Sequence, residues 1–409
     1  MIPWRRVLRD ADPPLAFAVA ALLAIGIIAV YSATYSHSGS APAGLYWKQA
    51  AWLVLGFAAC VAAAVIPFRV FDGLAYWIYG ATLVLIVAVT LAGSVGLGAK
   101  RWIDLGPLRL QPSEPMKIGL VLALARYLSG GGVNVTRARF LAVPLALASV
   151  PMLFVLEQPD LGSALAFGVI VLAMLHWAGL SALFVFLLIS PLLNVLATFW
   201  LPAWIIFAAL LVWILYRSKL HWIPQLGLVV AHVGISVVTP RLWAGLEGYQ
   251  RERILTFLDP GRDPSGAGYQ IIQSKIAIGS GGWLGKGFLQ GTQKALSFLP
   301  HQHTDFIFSV LGEEFGFLGV TIVLGLFALL LGRAVIVARG ARSRFGSLMA
   351  VGAVAIFAYH ASINLCMAVG LAPVTGIPLP FLSYGGSFLI TCMILVGMIL
   401  NVAGRRNER

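Results

Sequence analysis

The sequence predicts an all-α polytopic membrane protein, a helical bundle of about twelve apolar spans with one large extracytoplasmic loop. Of the 409 residues, 60% are hydrophobic and only 11% are charged, and the mean hydropathy is +0.91. Soluble domains carry roughly 25% charged residues, so a soluble core could not cover this much apolar surface. One long polar stretch, residues 249–305, interrupts the apolar pattern and is the first candidate for the functional part.

Twelve apolar runs approach or exceed the length of about 20 residues that crosses a bilayer as a helix. The run at 201–216 is short, and short runs can be re-entrant rather than spanning. The runs lie near 15–34, 48–66, 74–95, 114–129, 140–157, 161–178, 181–198, 201–216, 222–240, 305–336, 345–370 and 383–403.

The net charge of +13 indicates topology and not nucleic-acid binding, because Lys and Arg gather in cytoplasmic loops. With both termini cytoplasmic, two outer loops carry cations against this rule, at 96–113 and 241–304. Either these cations bind an anion, or a long loop is translocated whatever its charge. The basic residues on the inner side are Arg69, Arg126, Arg137, Arg139, Arg217, Lys219, Arg333, Arg339, Arg342, Arg344, Arg405, Arg406 and Arg409.

We treat residues 1–409 as a single membrane domain, since the sequence shows neither internal repeats nor a linker between soluble parts. Cys60, Cys366 and Cys392 all fall in apolar runs. They are therefore predicted to be packing residues, without a disulfide framework or a metal site.

The first polar cluster lies at 98–118, where a helix is predicted to begin with Ser113 as its cap and Pro115 in its first turn. Glu114 and Lys117 are three residues apart and share one helix face. This pair is either a structural ion pair at the helix entry or a polar wall of a substrate cavity.

Two further polar segments lie between apolar spans. In residues 157–163, Asp160 is predicted to cap a new helix, with a cavity-lining role as the alternative. Residues 364–387 contain three prolines and four glycines, which predict a structured reversal between two spans.

The polar loop holds an acidic residue among cations. Asp263 stands before Pro264 in a segment with turn chemistry, so the simplest interpretation is a turn former. A carboxylate among cations at a membrane surface can also act as a general base on a sugar hydroxyl while the cations hold phosphates. Asp259 is the competing candidate for that role. The neighbouring cations are Arg251, Arg253, Arg262, Lys275 and Lys286.

The glycine string at 279–287 does not fit the phosphate-loop pattern, since Ser280 stands where Gly is needed and Gly287 follows the Lys. A flexible or closely packed backbone segment is predicted instead. His301 and His303 could bind a metal, but no third ligand is evident beyond Asp305.

Several motifs together resemble the SEDS family (shape, elongation, division and sporulation), most closely its RodA branch, with FtsW the sister branch. They occur in family order from about residue 98 to 387. The motifs are RWIDLG, QPSEPMK, QPDLGS, YQRERI, DPSGAGYQIIQSKIAIGSGGWLGKG, HTDFIFSVLGEEFGFLG and GIPLPFLSYGGS.

This resemblance implies a bacterial inner-membrane glycosyltransferase that polymerises lipid II into peptidoglycan strands for cell elongation. It implies a ten-span bundle, an essential aspartate at Asp263, and a class B penicillin-binding protein and elongation-complex membrane proteins as partners. No cofactor is certain; a divalent cation, Mg or Mn, is possible. The residues expected to bind substrate are Arg101, Glu114, Lys117, Arg251, Arg253, Lys275, Lys286 and Ser383.

Three features depart from the family pattern. Two extra apolar runs predict an inserted transmembrane hairpin at 181–221, ahead of the extracytoplasmic loop at 241–304. His301 stands where a carboxylate is frequent. Phe388 stands where a small residue is usual, which predicts a change in packing.

The expected reaction is an inverting transfer, in which the acceptor 4-hydroxyl attacks the donor sugar, Asp263 takes the proton, and undecaprenyl pyrophosphate leaves. Two rivals remain, a flippase or transporter of lipid-linked precursors and a non-catalytic scaffold for a penicillin-binding protein.

Overall fold

The computed structural model describes residues 12–35, 44–92, 94–96, 99–105, 108–218, 220–245, 248–259, 261, 267–295 and 302–405. It shows a helical bundle with a small antiparallel sheet. The helices are α1 (Pro13–Thr34), α2 (Leu45–Val65), α3 (Phe68–Ala92), α4 (Ser113–Ser129), α5 (Ala142–Glu157), α6 (Leu161–Trp177), α7 (Ala182–Ala197), α8 (Leu201–Arg217), α9 (Trp222–Gly245), α10 (Gly248–Leu258), α11 (Ala267–Ser280), α12 (Thr292–Ala295), α13 (Ile307–Arg339), α14 (Arg344–Ala368) and α15 (Gly386–Gly404).

Each predicted apolar run contains one helix, α1 to α9 and α13 to α15, so the all-α membrane class is confirmed. Among the described residues, seven helices are long and apolar enough to cross a membrane: α1, α2, α3, α9, α13, α14 and α15. Helices α5 to α8 are apolar but have only 16 or 17 residues. The protein is therefore an integral membrane protein, and the count of twelve spans stays a prediction.

The centre of the bundle is formed by α4, α14 and α15. In the most apolar stretches of α14 and α15, 72% of the residues are buried, against 11% in α9. Helix α4 buries most of its length between α3, α14 and α6. Residues on these central helices are thus screened from lipid, and polar side chains there need partners inside the protein.

Helices α2 and α15 approach closely because small residues line their contact. A side chain at Gly397 would collide with the Cys60 carbonyl, so only glycine fits there. The Asn401 amide then donates to the carbonyls of Ala63, Ala64 and Ile66, at 2.9, 2.9 and 2.6 Å. This side chain satisfies the end of α2, where backbone acceptors lack partners within the helix.

A three-stranded antiparallel sheet connects α3 to α4, a feature that the sequence reasoning did not predict. Its strands are β1 (Ser94–Gly96), β2 (Ala99–Leu105) and β3 (Leu108–Leu110), in the order β1-β2-β3. The chain has Gly106 and Pro107, ordinary turn residues, between the last two strands. The segment is too short and too polar to give a strong periodic signal.

The helix starts test two predictions. Asp160 caps α6 as predicted, since its carboxylate accepts from the Ser163 N–H at 3.1 Å. The prediction for Ser113 is wrong: Pro112 occupies the cap position and Ser113 lies in the first turn of α4 without a capping hydrogen bond. The helix begins at Ser113 itself, one residue earlier than a helix capped by Ser113 would begin.

The extracytoplasmic loop predicted at 241–304 is largely helical in its described part. It contains α10, α11 and the single turn α12. Helix α11 packs on α13 and α14, and the Ser274 hydroxyl lies 2.6 Å from both the Ser309 hydroxyl and the Ala368 carbonyl oxygen. The second half of the loop is therefore fixed on the bundle.

The glycine string at 279–287 joins the backbone of α13, as the packed-backbone interpretation predicted. Helix α13 is interrupted at Gly316, whose φ is 61°. The N–H groups of Lys286 and Gly287 donate to the carbonyls of Glu313 and Glu314, both at 3.0 Å.

On the other side of the break, the N–H groups of Phe317 and Leu318 donate to the carbonyls of Gly282 and Trp283, at 2.8 and 3.1 Å. The glycine string thus supplies the backbone hydrogen-bond donors and acceptors that the interrupted helix cannot supply itself. We call this paired segment, residues 281–287 with 313–318, the glycine seam.

We predict that Gly281→Ala destabilises the protein by about 1–3 kcal/mol, because its methyl group would collide with the Gly312 carbonyl. Gly279→Ala is the matched control, since a side chain there meets nothing within 4 Å. Thermal unfolding of both variants in detergent measures the difference. Equal unfolding temperatures would contradict the close contact.

Candidate active site

The predicted pair on α4 lies in a buried four-residue cluster. The Lys117 ammonium lies 2.8 Å from a Glu114 oxygen and 2.8 Å from Nε2 of His360 on α14. It also lies 5.6 Å from the centre of the Phe388 ring. The side chains of Lys117 and Glu114 are 0% and 3% exposed. A charge at this depth is tolerated because an anion, an acceptor nitrogen and an aromatic face surround it.

Phe388 has a specific place in this cluster. Its ring stacks on His360, with the ring centres 4.6 Å apart and the planes 21° from parallel. The Pro378 carbonyl lies 3.3 Å from the other nitrogen of His360. The predicted packing change at position 388 is thus a contact that orients the histidine towards Lys117.

The cluster fits a structural ion pair better than the wall of an open cavity, because both charged side chains are closed off from solvent. One feature is not expected of an ion pair whose polar atoms are all hydrogen-bonded. Oε2 of Glu114 and the Ser113 hydroxyl are buried and have no hydrogen-bond partner among the described residues. Buried polar atoms usually have partners, so the Glu114 end of the pair retains unused acceptor capacity.

Arg101 holds a backbone turn rather than an open anion site. Its guanidinium donates to the Gln158 carbonyl at 2.8 Å and to the Pro159 carbonyl. The Gln111 amide lies 3.3 Å from the Asp160 carboxylate in the same region. Strand β2 and the start of α4 are thereby tied to the α5–α6 turn. The expected role of Arg101 in binding substrate stays a prediction.

Lys286 likewise has a partner inside the protein. It lies 2.7 Å from an oxygen of Glu313, whose side chain is 1% exposed. That oxygen also accepts from the backbone N–H groups of Thr292 and Gln293, at 2.8 and 3.1 Å. The charge of Lys286 is neutralised locally, so the geometry does not support its expected use as a phosphate-binding cation.

Glu314, the next residue after Glu313, connects this region to the first helix. The Ser32 hydroxyl lies 2.6 and 2.7 Å from the two carboxylate oxygens of Glu314. Glu313 and Glu314 together connect α1, the glycine seam and the start of α12. The acidic pair therefore holds the loop against the bundle.

The reversal at 364–387 is structured, as predicted. The Ser383 hydroxyl donates to the Thr304 carbonyl at 2.6 Å and accepts from the Leu379 N–H at 2.8 Å. The Asn364 amide donates to the carbonyls of Asp305 and Ile377, at 2.8 and 2.7 Å. Ser383 is buried and its hydroxyl both donates and accepts within the protein. Its expected contact with substrate stays a prediction.

The aromatic side chain next to Ser383 also faces inward. The Tyr384 ring lies against His303, with the ring centres 5.9 Å apart, and the Tyr384 N–H donates to the His303 carbonyl at 2.9 Å. Burial raises the pKa of Tyr384 above its ordinary value. The phenol is therefore a neutral group at physiological pH.

The remaining loop candidates are spread along its helices. Lys275 is exposed on α11 and lies over Gly370, while the Arg251 guanidinium donates to the Ala244 carbonyl. Asp259 is exposed and accepts from the Gly261 N–H at 3.1 Å. The side chain of Arg253, like Asp263 and His301, lies outside what the structure describes.

The structure therefore brings Glu114 and Lys117 together and places the other described candidates elsewhere. Sequence reasoning missed His360 and the roles of Glu313 and Glu314. A signal for the two acids existed, since an acidic pair near the start of a long apolar run needs partners. His360 gave no such signal, because its partner is more than 240 residues away along the chain.

Comparison with known proteins shows the family of the chain. The FtsW/RodA/SpoVE family model, described as a cell cycle protein, matches residues 13–204 and 201–408. The chain belongs to the FtsW/RodA/SpoVE family. This is the SEDS family that the motifs resemble. Members of the family match this chain over nearly its whole length.

One relative is the peptidoglycan glycosyltransferase MrdB of Escherichia coli K12. It is 37% identical over 404 residues, which covers 98% of this chain and 95% of MrdB. The peptidoglycan glycosyltransferase RodA of Treponema pallidum is 34% identical, with 98% and 99% covered.

Solved structures of the FtsW/RodA/SpoVE family show the same fold. A chain from a peptidoglycan synthase complex that coordinates polymerization and crosslinking superposes with a TM-score of 0.72, at 34% identity, covering 98% of this chain and 99% of that one. The rod shape determining protein RodA of Thermus thermophilus gives 0.64 at 29% identity, with 98% of each chain covered. The two family matches meet at 201–204, inside the predicted hairpin, whose status as an insertion stays a prediction.

We predict that Lys117→Met destabilises the protein by about 3–5 kcal/mol, because it leaves the Glu114 carboxylate buried without its cation. The double variant Glu114→Gln with Lys117→Met should recover most of this loss, since no unpaired charge remains. Thermal unfolding in detergent compares the two. A double variant no more stable than the single one would argue against a buried ion pair.

Proposed function

We propose that the chain is a peptidoglycan glycosyltransferase that polymerises lipid II into glycan strands for cell elongation. The observation that carries this proposal is full-length similarity, at 34–37% identity, to relatives named as peptidoglycan glycosyltransferases. The shared fold, with a loop fixed on the bundle at its second half, supports it. In the proposed reaction, the acceptor 4-hydroxyl attacks the donor sugar with inversion and undecaprenyl pyrophosphate leaves.

Asp263 is the proposed general base. The proposal rests on the DPSGAGYQ motif at 263–270, since Asp263 lies outside the described residues. The described flanks support a loop position for the segment, because α10 ends at Leu258 and α11 begins at Ala267. A single carboxylate is sufficient because pyrophosphate needs charge neutralisation more than a proton on departure.

The pyrophosphate would be held by cations of the loop. Lys275, which is exposed on α11, is proposed from its position, and Arg253 is proposed from the YQRERI motif alone. Arg101 and Lys286 have partners within the protein. Among the residues that the structure describes, no three His, Cys, Asp or Glu side chains are arranged to hold a metal ion. A requirement for Mg or Mn remains a proposal from the family resemblance.

The proposed setting is the bacterial inner membrane with both termini cytoplasmic, supported by the distribution of Lys and Arg. The proposed partner is a class B penicillin-binding protein within an elongation complex. The structural neighbour from a synthase complex that coordinates polymerization and crosslinking supports this association. Labelling of single cysteines from either side of the membrane tests the topology.

We predict that Asp263→Asn lowers lipid II polymerisation by at least about 100-fold, because general-base catalysis contributes roughly 10²–10⁴-fold. The measurement is glycan-strand formation from purified lipid II by the chain together with its transpeptidase partner. Asp259→Asn is the matched control and should retain activity, since Asp259 is exposed and accepts from Gly261.

The outcomes separate the rival functions. Loss of activity in Asp259→Asn but not in Asp263→Asn would transfer the role of base to Asp259. A wild-type chain that moves lipid II across vesicles without polymerising it would be a flippase. A complex whose activity is unaffected by either substitution would leave the chain as a scaffold.

A further inference from the structure

Helix α9, which leads into the loop, is held by the neighbouring hairpin and not by the main bundle. Only 11% of its most apolar stretch is buried, and its buried residues are His232 and Thr239. It packs against α7 and is also reached by side chains of α8. In the described part of the chain it makes no comparable contact with a helix of the main bundle.

The contact between α7 and α9 is a chain of hydrogen bonds inside an apolar region. The Ser190 hydroxyl lies 2.9 Å from Nε2 of His232. The side-chain amide of Asn194 donates to the His232 backbone carbonyl at 2.6 Å, and the Ser236 hydroxyl donates to the side-chain oxygen Oδ1 of Asn194 at 3.1 Å. From α8, the Trp204 indole donates to the Ser236 hydroxyl at 2.7 Å.

These bonds fix the two helices more closely than apolar contacts would. Lipid offers no partner for a buried amide or imidazole, so each group is satisfied in one relative position of the helices. Ser190 and Asn194 are almost completely buried. Asn194 is central, because it both donates to α9 and accepts from it.

The hairpin and α9 also have a hydrophobic core of their own. Phe207, Leu211 and Leu215 of α8 are buried with residues of α7 and α9, apart from the main core. Phe184, Val185 and Leu188 of α7 pack on the main core. We call helices α7, α8 and α9 the hairpin unit; α7 is its link to the bundle.

The loop therefore begins and ends on different supports. It leaves the hairpin unit through α9, and it returns to the main bundle through α11 and the glycine seam. The first half of the loop, α10, follows α9 in the chain and also contacts α11. The hairpin unit therefore supports the loop at its entry.

We propose that the hairpin α7–α8 positions α9, and through it the entry of the loop, with Asn194 as the principal positioning residue. The effect on catalysis rests on the proposed function, whereas the effect on helix placement does not. No substrate contact is assigned to these residues.

The test compares Asn194→Leu with Thr239→Val. Asn194→Leu removes two bonds between α7 and α9 at similar volume. Thr239→Val is the matched control, because the Thr239 hydroxyl bonds only to Ile235 of its own helix, at 2.8 Å. Ser236→Ala is a smaller change that also removes the bond between Ser236 and Asn194. It keeps the proposal testable if Asn194→Leu does not fold.

Helix placement is measured by oxidative cross-linking of Leu192→Cys with Val238→Cys in a chain whose Cys60, Cys366 and Cys392 are replaced by Ala. Both positions line one apolar groove of about 500 Å³ between α7 and α9. Asn194→Leu should lower the cross-linked yield severalfold and kcat for polymerisation about fivefold to tenfold, with KM unchanged. Ser236→Ala should lower kcat about threefold, and Thr239→Val should change neither quantity.

Three results would overturn the proposal: an unchanged cross-linked yield in Asn194→Leu, an unchanged kcat despite a lost cross-link, or an equal loss in Thr239→Val. If the unmodified chain polymerises nothing, the proposed function fails, and the cross-linked yield still decides whether Asn194 places α9.

Discussion

The structure depends on one constraint, that a helix interrupted inside an apolar bundle must find partners for its freed backbone groups. Helix α13 is interrupted at Gly316, and the glycine seam supplies donors on one side of the break and acceptors on the other. The glycines at 281 and 285 follow from this, because a side chain at either position would collide with the α13 backbone. The loop is thus attached to the bundle by main-chain bonds and not only by side chains.

The charged residues follow the same rule of local satisfaction. Lys117 is held by Glu114 and His360, Lys286 by Glu313, and Arg101 by backbone carbonyls. Each of these three cations therefore has an internal acceptor. Lys275 on α11, in contrast, is an exposed cation of the loop.

Much of the fold could be predicted from sequence, because apolar length and local capping are local properties. All twelve apolar runs contain helices, and Asp160 caps α6. The sheet at 94–110 was missed because short strands in a polar segment have no strong period. The site was predicted only in part: Glu114 and Lys117 pair over three residues, whereas His360, Glu313 and Ser383 acquire partners far away in the chain. Such partners depend on tertiary contacts that no spacing rule reveals.

The glycine seam has a consequence for biosynthesis. Residues 281–287 precede α13 in the chain, so the ribosome completes them before the helix that needs them. The donors and acceptors that α13 lacks at its break are therefore synthesised before the helix itself. The order of the chain thus allows an interrupted helix to be inserted without an intermediate that carries bare peptide groups in hydrocarbon.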